Sequence, residues 1–585
     1  MGSITHEASS DATVQTIPLG LYLWTRIRQQ GTQSIMGVPG DMNLELLDYI
    51  KSVPELKWIG NTNELNAAYA ADGYARTKGC PGAITTTMGV GEMSALNGIA
   101  GAYTEQVKVI HVVGTTGTEL QQKRAMIHHC LGSNPDHRVF DNISSHVRCA
   151  HAWIDNQDTA AAEIDRVIRE CWLKSMPVYI FVPMDFVHIH VPARHLEQSI
   201  DLSYPVNLAN EARAVQEIVN AVTCAEKPLV LVDGLTSRHA ASKQAKELVN
   251  LLNLPVFTAP MGKGIIDETL PVWCGIYAGE VSLPGIKQYV EQSDCIINLG
   301  PFLSDSNTGG HTRQIFDHQA IMLEPDSCTV MGQKFDQVYL RPLLTQLLSA
   351  FKKVDIPSVE RPAFPCEEPS ADAAFPEITQ SWIWKRFGQF TRPGDIVIVE
   401  SGTAQFGFPD AVLRNDIKYI TQVYFGSIGY SVGSCLGAAL AQSEIQAQGG
   451  MPNGRTILIV GDGSLQLTVQ EIATMLRHQL SPLLFIINNN GFAIERAIHG
   501  PEEEYNNISP WRHQLLLETF GARNGRANSR EVKTKKEMEM VLDSEDYTKP
   551  REIQLLEVFM ATYDYPWRLT KQIGLINARV AAKKI

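Results

Sequence analysis

Short apolar runs that end in glycine, proline or a polar residue recur along the whole chain, and stretches of helical period separate them. Their hydrophobicity is continuous rather than alternating, which predicts strands that are buried on both faces. The clearest runs cover residues 109–114, 178–183, 229–234, 396–400, 456–461 and 483–488. Strands of this kind that alternate with helices are typical of parallel α/β sheets. We therefore predict an α/β fold made of doubly wound parallel-sheet domains.

Two segments interrupt the alternation and divide the chain. Residues 192–212 resemble a linker, and residues 354–376 are rich in proline, glutamate, serine and alanine without any period. A chain of 585 residues is also too long for a single core. We predict an N-terminal domain, a middle domain, a linker, a C-terminal domain and a tail, with the bounds 14–195, 207–353, 354–376, 377–565 and 566–585.

Composition narrows the classes of partner. The chain is 44% apolar and 19% charged, as is usual for a soluble globular protein. Its net charge of −13 argues against nucleic acid and anionic membranes, because both attract basic surfaces. No run approaches the roughly 20 apolar residues of a membrane span. We expect neither a nucleic acid partner nor a membrane.

Cysteine spacing and the first residues indicate a compartment. The ten cysteines include no Cys-x-x-Cys pair, which fits free thiols in a reducing environment better than disulfides or zinc. Residues 1–18 are polar and carry Glu7 and Asp11, so they resemble neither a secretion signal nor a mitochondrial presequence. We expect a loose N-terminal arm and a cytoplasmic protein.

The strongest chemical signal lies at the ends of two neighbouring runs. Residues 461–464, Gly-Asp-Gly-Ser, place Asp462 at the carboxyl end of a strand and open a helix whose N–H groups can face an anion. The next run ends with Asn489 and Gly491. A carboxylate, an amide oxygen and a backbone carbonyl suit an octahedral cation such as Mg²⁺. Either piece alone is more often an ordinary turn.

Together the two pieces resemble the thiamine diphosphate motif, which begins Gly-Asp-Gly and closes with Asn-Asn. The resemblance implies thiamine diphosphate and Mg²⁺ as cofactors. It also implies the metal ligands Asp462, Asn489 and Gly491, and cofactor contacts from Gly461, Asp462, Gly463, Ser464, Asn489 and Gly491.

Further segments resemble the thiamine-diphosphate-dependent 2-oxo acid decarboxylases of the pyruvate decarboxylase type, in the same order along nearly the whole chain. They are residues 37–41, 61–76, 85–97, 128–132, 260–264, 422–429 and 494–501. The resemblance implies a pyrimidine-binding first domain, a middle domain and a diphosphate-binding third domain. It implies the catalytic residues Glu64, Asp41, His128, His129 and Glu495.

Two of these assignments have simpler readings from the residues alone. Glu64 could be a first-turn glutamate that complements a helix dipole, and His128 and His129 could be loop histidines. Adjacent residues on an extended segment point to opposite sides, so we expect that the two histidines cannot easily bind one metal ion.

The remaining predicted site residues lie in the third domain. Residues 400–407 form a strand-end loop whose hydroxyl and backbone groups could hold the cofactor. The resemblance implies cofactor contacts from Thr403 in this loop and from Gly426 in the segment 422–429. Ile428 would support the bent cofactor. Gln405 and Ile494 would line the substrate pocket, and Gln405 is polar where the family usually has an apolar residue.

The predicted function is the thiamine-diphosphate- and Mg²⁺-dependent, non-oxidative decarboxylation of a 2-oxo acid, first of all pyruvate, to an aldehyde and carbon dioxide. One alternative is a carboligase that joins the same intermediate to a second carbonyl compound. Another is an inactive relative that serves as a binding protein. The resemblance also implies a homodimer or homotetramer with its sites at the dimer interface.

Overall fold

The computed structural model describes residues 15–364, 370–451 and 453–582. The predicted N-terminal arm up to residue 14, part of the predicted linker, and the end of the predicted tail lie outside these ranges. Three sheets of six, seven and six strands succeed one another along the chain, in agreement with the predicted three α/β domains. None of the helices in the described ranges combines the length and apolarity that a bilayer span requires.

The first sheet is parallel, with the strand order β3-β2-β4-β5-β7-β6, and the same domain has a separate two-stranded antiparallel sheet of β1 and β8. Its strands are β1 (Thr16–Pro18), β2 (Ser34–Gly37), β3 (Lys57–Trp58), β4 (Gly82–Thr87), β5 (Val109–Thr115), β6 (Ala150–Trp153), β7 (Val178–Pro183) and β8 (His190–Pro192). Its helices are α1 (Leu19–Gln29), α2 (Leu44–Asp48), α3 (Glu64–Lys78), α4 (Val90–Thr104), α5 (Thr118–Gln122), α6 (Val139–Ser144) and α7 (Gln157–Lys174).

The middle sheet has the order β11-β10-β9-β12-β13-β14-β15. Its strands are β9 (Pro228–Val232), β10 (Val256–Thr258), β11 (Trp273–Ile276), β12 (Cys295–Leu299), β13 (Ala320–Leu323), β14 (Ser327–Val330) and β15 (Gln333–Asp336). Its helices are α8 (Leu208–Cys224), α9 (Leu235–Arg238), α10 (Ser242–Leu252), α11 (Ile286–Glu291) and α12 (Leu340–Phe351). The first five strands of this order pair parallel, as predicted, and β14 and β15 extend the sheet as antiparallel strands, because they follow through turns too short for a crossover.

The third sheet is parallel, with the order β17-β16-β18-β19-β21-β20, which matches the pattern of the first sheet. Its strands are β16 (Ile396–Val399), β17 (Lys418–Ile420), β18 (Thr456–Gly461), β19 (Leu483–Asn488), β20 (Ser529–Val532) and β21 (Gln554–Phe559). Its helices are α13 (Gln380–Phe390), α14 (Thr403–Gly407), α15 (Tyr430–Ala447), α16 (Asp462–Thr468), α17 (Glu471–Arg477), α18 (Ala493–Ile498), α19 (Leu516–Thr519), α20 (Lys535–Leu542), α21 (Glu545–Thr548) and α22 (Trp567–Ala582).

The first and third domains share one apolar core. Helices α3 and α15 cross at close range in its centre, because glycines remove the side chains at the contact. A Cβ added to Gly437 would lie 1.8 Å from the carbonyl oxygen of Ala70, and one added to Gly73 would lie 2.2 Å from that of Ser434. The two sheets are therefore fixed relative to each other through backbone contact.

Candidate active site at two sheet edges

The candidate residues lie at the carboxyl ends of parallel strands. In the first sheet the strand order reverses between β2 and β4, and in the third sheet it reverses between β16 and β18. Loops diverge at such points and leave a crevice, where open α/β sheets bind ligands. Asp41 follows β2, Thr403 follows β16 and Asp462 follows β18. Each crevice therefore carries part of the predicted residue set.

Asp41, His128 and His129 lie together at the carboxyl ends of the strands of the first sheet. This end of the first sheet is called the first edge below. His128 Nε2 lies 2.5 Å from Asp41 Oδ2, and His129 Nε2 lies 3.8 Å from Asp41 Oδ1. The two imidazole rings meet edge to face, with their centroids 4.7 Å apart. Acid and base groups in such contact can exchange protons with each other or with a ligand above them.

The expectation that the adjacent histidines point apart is wrong. His129 has a left-handed backbone with a φ of 71°, so the chain is not extended at this point. The nearby Gly89 allows this path, since a Cβ there would lie 2.5 Å from the His129 carbonyl oxygen. Backbone curvature thus turns both imidazoles toward one carboxylate.

Buried His137 closes the loop that carries the pair. Its Nδ1 lies 2.7 Å from Thr116 Oγ1, and its Nε2 lies 3.0 Å from the carbonyl oxygen of Ala125. The ring therefore joins the two ends of the segment between Ala125 and His137. The sequence offered no signal for this role, because a histidine in a turn-rich segment is usually exposed.

Glu64 is the first residue of α3 and is half-buried. Its carboxylate lies beside the first turn of α4, where a Cβ added to Gly91 would be 3.1 Å from Glu64 Oε1. The preceding loop is tied to the third domain by Glu471, which accepts hydrogen bonds from Asn61 Nδ2 at 3.0 Å and from Thr62 Oγ1 at 2.6 Å. Glu471 thus positions the segment that presents Glu64.

Three oxygen atoms converge at the carboxyl ends of the strands of the third sheet, which is called the second edge below. The amide oxygen of Asn489, as oriented, lies 3.1 Å from the Gly491 carbonyl oxygen and 3.3 Å from Asp462 Oδ1, with no hydrogen-bond donor between them. Either a rotated amide or a cation would satisfy these oxygens. Neighbouring ligands of octahedral Mg²⁺ are about 2.9 Å apart, so the donor set fits this ion.

Asp462 is almost fully buried, and burial raises the pKa of its carboxyl group to about 6. The backbone N–H groups of Gly463 and Gly491 donate to the carboxylate at 2.9 and 3.1 Å. Half of its oxygen lone pairs stay available for a ligand. The helix that begins here, α16, ends at Thr468, and the next helix starts at Glu471.

A second buried carboxylate, Glu400, shapes the loop that carries Gly426 and Ile428. It accepts hydrogen bonds from the backbone N–H groups of Gly429 at 3.1 Å and Ser431 at 3.3 Å. Burial raises the pKa of the Glu400 carboxyl group. Gly426 has a φ of 64°, and half-buried Ile428 lies at the tip of the turn.

The remaining predicted residues line the same edge. Thr403 begins α14 and is buried, while Gln405 is half-buried and donates from Nε2 to the carbonyl oxygen of Val423 at 3.4 Å. Ile494 and Glu495 lie half-buried in the first turn of α18. In the described ranges, no hydrogen bond or ion pair joins the first-edge residues Asp41, Glu64, His128 and His129 to the second-edge residues Asp462, Asn489, Gly491 and Glu495.

Comparison with known proteins places this arrangement in context. Residues 19–138 match the N-terminal TPP-binding domain of thiamine pyrophosphate enzymes, residues 215–341 match their central domain, and residues 402–550 match their C-terminal TPP-binding domain.

Curated relatives extend over nearly the full length. The chain is 43% identical to pyruvate decarboxylase isozyme 2 of Saccharomyces cerevisiae over 565 residues, which cover 96% of this chain and 99% of the relative. It is 43% identical to pyruvate decarboxylase of Kluyveromyces lactis over 566 residues, with the same coverage. It is 41% identical to pyruvate decarboxylase of Aspergillus terreus over 546 residues, which cover 93% of this chain and 94% of the relative.

Proposed function

Because this chain belongs to the thiamine pyrophosphate enzymes, in the pyruvate decarboxylase family, we propose that it decarboxylates pyruvate without oxidation to acetaldehyde and carbon dioxide. The observation that carries the proposal is the pairing of a proton-handling edge, with Asp41, His128 and His129 in contact, and an oxygen-rich edge around Asp462. A binding protein derived from such an enzyme would need neither edge.

Asp462, Asn489 and the Gly491 carbonyl would bind Mg²⁺ and, through it, the diphosphate of thiamine diphosphate. Gly461, Gly463, Ser464, Thr403 and Gly426 would line the cofactor, and Ile428 would support its bent form. When bound, the cofactor supplies an electron sink that lets a 2-oxo acid lose carbon dioxide.

Glu64 would form a hydrogen bond with the aminopyrimidine ring and so influence where that ring carries its proton. Asp41, His128, His129 and Glu495 would then hold and deliver the proton that the product acquires.

The two edges would complete one site across two chains. Apolar side chains stand exposed beside the site residues of both edges: Val90 is 56% exposed, Met93 40%, Leu467 51% and Phe425 36%. Exposed apolar surface around polar site residues is typical of a protein interface. We therefore propose a homodimer, or a homotetramer made of such dimers. We also propose a cytoplasmic location, on the basis of the cysteine spacing and the first residues.

Gln405 favours a second candidate, a carboligase. Its amide makes one long hydrogen bond and remains able to bind a polar substrate group, such as a second carbonyl compound.

The test is incubation of the purified protein with thiamine diphosphate, Mg²⁺ and pyruvate, with and without an added aldehyde. We expect carbon dioxide and acetaldehyde, and loss of at least about 100-fold in kcat for Asp462→Asn or Glu64→Gln. His188→Gln removes an exposed histidine that is not among the predicted site residues of either edge, so it is the control and should retain activity. A coupled hydroxyketone as the main product would establish the carboligase instead, and no carbon dioxide from pyruvate would refute the proposal.

A further inference from the structure

The first edge offers a ligand set for a second metal ion of a different chemical class. Asp41, His128 and His129 each present one donor atom, and these atoms all lie within 4.8 Å of one another. Two imidazoles and one carboxylate on one face are a known ligand set for divalent transition metals, with positions left open for water or substrate. Mg²⁺ prefers oxygen ligands, so it would not compete well here.

The geometry needs little adjustment to bind a metal. Zinc bonds of about 2.0 to 2.1 Å in a tetrahedral site put neighbouring donor atoms about 3.4 Å apart. The present separations are 2.5 Å between His128 Nε2 and Asp41 Oδ2 and 3.8 Å between His129 Nε2 and Asp41 Oδ1. The two imidazoles contact different oxygens of the Asp41 carboxylate, and all three side chains are partly exposed, so rotation of these side chains can direct one donor atom of each onto a common ion.

The backbone already holds the two imidazoles on one side. The left-handed conformation of His129, its carbonyl against Gly89, and the ring of His137 at the base of the loop fix this orientation before any ligand arrives. Preorganised donors lose less conformational entropy on binding, which raises affinity.

We propose that Asp41, His128 and His129 bind Zn²⁺ or a similar divalent transition metal, and that this ion inhibits the enzyme. A metal bound to both imidazoles occupies the ring nitrogens that would otherwise accept a proton and, once protonated, deliver it. The inhibition rests on the proposed decarboxylase function, whereas the binding rests only on the geometry of the three side chains.

The test is a calorimetric titration of the protein with Zn²⁺, in the presence of thiamine diphosphate and excess Mg²⁺ to occupy the oxygen-rich edge. We expect one Zn²⁺ bound per chain. His128→Gln, His129→Gln and Asp41→Asn should each weaken binding at least about 10-fold, since even the loss of groups that only support metal ligands costs this much.

His188 provides a matched control. It is 58% exposed and lies 3.0 Å from a carboxylate oxygen of Glu45, so it forms a histidine–carboxylate pair without a second histidine. His188→Gln should leave both the affinity and the stoichiometry unchanged. Thermal unfolding curves that match the wild type would show that each variant is folded.

The outcomes separate the two claims. The site is overturned if the wild type does not bind Zn²⁺, or if the His128 and His129 variants bind it as tightly as the wild type does. This holds even if pyruvate is decarboxylated. Histidine-dependent binding without any decarboxylation keeps the site and refutes the proposed function. In an active enzyme, Zn²⁺ should inhibit over the same concentration range in which it binds, and a chelator should restore activity; binding without inhibition overturns the inhibitory role.

Discussion

Asn489 and Asp462 are the residues that favour a cation at the second edge. The Asn489 side-chain amide faces the Gly491 carbonyl oxygen and Asp462 Oδ1 at 3.1 and 3.3 Å, so these two oxygens can accept hydrogen bonds from a rotated amide or bind a cation together with the amide oxygen. Asp462 adds to this argument, because burial of its carboxylate is unfavourable without a counter-charge. A bound Mg²⁺ would offset this cost and stabilise the folded chain.

Glu92 gives a prediction for the pH dependence of stability. This residue is 2% exposed in the first turn of α4, and its Oε1 accepts a hydrogen bond from the N–H of Gly89 at 2.8 Å. Burial raises the pKa of the Glu92 carboxyl group to about 8, from 4.5 in an exposed glutamate. Between these values the folded protein holds a proton that the unfolded chain has lost.

Raising the pH through this window therefore favours the unfolded chain, and the free energy of unfolding falls by up to about 1.4 kcal/mol per pH unit. Gln at position 92 cannot ionise and keeps an oxygen for the Gly89 N–H. We expect the melting temperature of Glu92→Gln to equal that of the wild type near pH 4.5. As the pH rises to about 8, the variant should melt at a temperature increasingly above that of the wild type.

Thermal unfolding monitored by circular dichroism at several pH values checks this. Glu119→Gln, which removes an exposed glutamate from α5, is the control and should change the melting temperature far less. A Glu92→Gln variant that is less stable than the wild type at pH 8 would contradict the prediction.

At the scale of elements, the crossing of α3 and α15 decides how the first and third domains pack. Gly437→Ala would place a methyl group 1.8 Å from the Ala70 carbonyl oxygen, so the helices must separate. We expect a loss of stability on the order of 2 kcal/mol or more, as for other overpacked cores. The matched control is Gly574→Ala in α22, where nothing lies within 4 Å of the added Cβ.

Because alanine is the better helix former by up to about 1 kcal/mol, Gly574→Ala should be neutral or stabilising. Chemical denaturation of both variants, followed by circular dichroism, measures the contrast. Equal effects of the two substitutions would show that the close crossing does not determine stability.

At the scale of the whole molecule, the separation of the two edges within one chain gives a test of assembly. If Glu64 of one chain completes a site with Asp462 of its partner, a mixed dimer of Glu64→Gln and Asp462→Asn chains contains one intact site and one doubly altered site. Random association makes half of the dimers mixed, so about a quarter of all sites should be intact.

We therefore expect each variant alone to be nearly inactive and an equimolar mixture, unfolded and refolded together, to recover about a quarter of the wild-type rate. Release of acetaldehyde from pyruvate is the measurement, and wild-type protein treated in the same way is the control. No recovery in a mixture that refolds to dimers would place both residues in a site within one chain.

Local pattern determined much of the fold. The runs at 178–183, 456–461 and 483–488 have the same bounds as β7, β18 and β19, because a strand buried on both faces must be apolar at every position. The division into three domains followed from the same kind of reasoning. The exact domain boundaries stay a prediction, because a linker has no buried periodic pattern that would mark where it begins and ends.

The sequence by itself also identified the ends of strands where Asp462 and Asn489 lie, because polar residues after buried strands mark the edge that binds ligands. Only the tertiary structure decided how they meet. The left-handed φ of His129, which turns two adjacent imidazoles onto one carboxylate, depends on the fit of its carbonyl against Gly89. The tie between Glu471 and Asn61 spans 410 residues. Contacts of that kind arise from packing between distant segments, which no local period encodes.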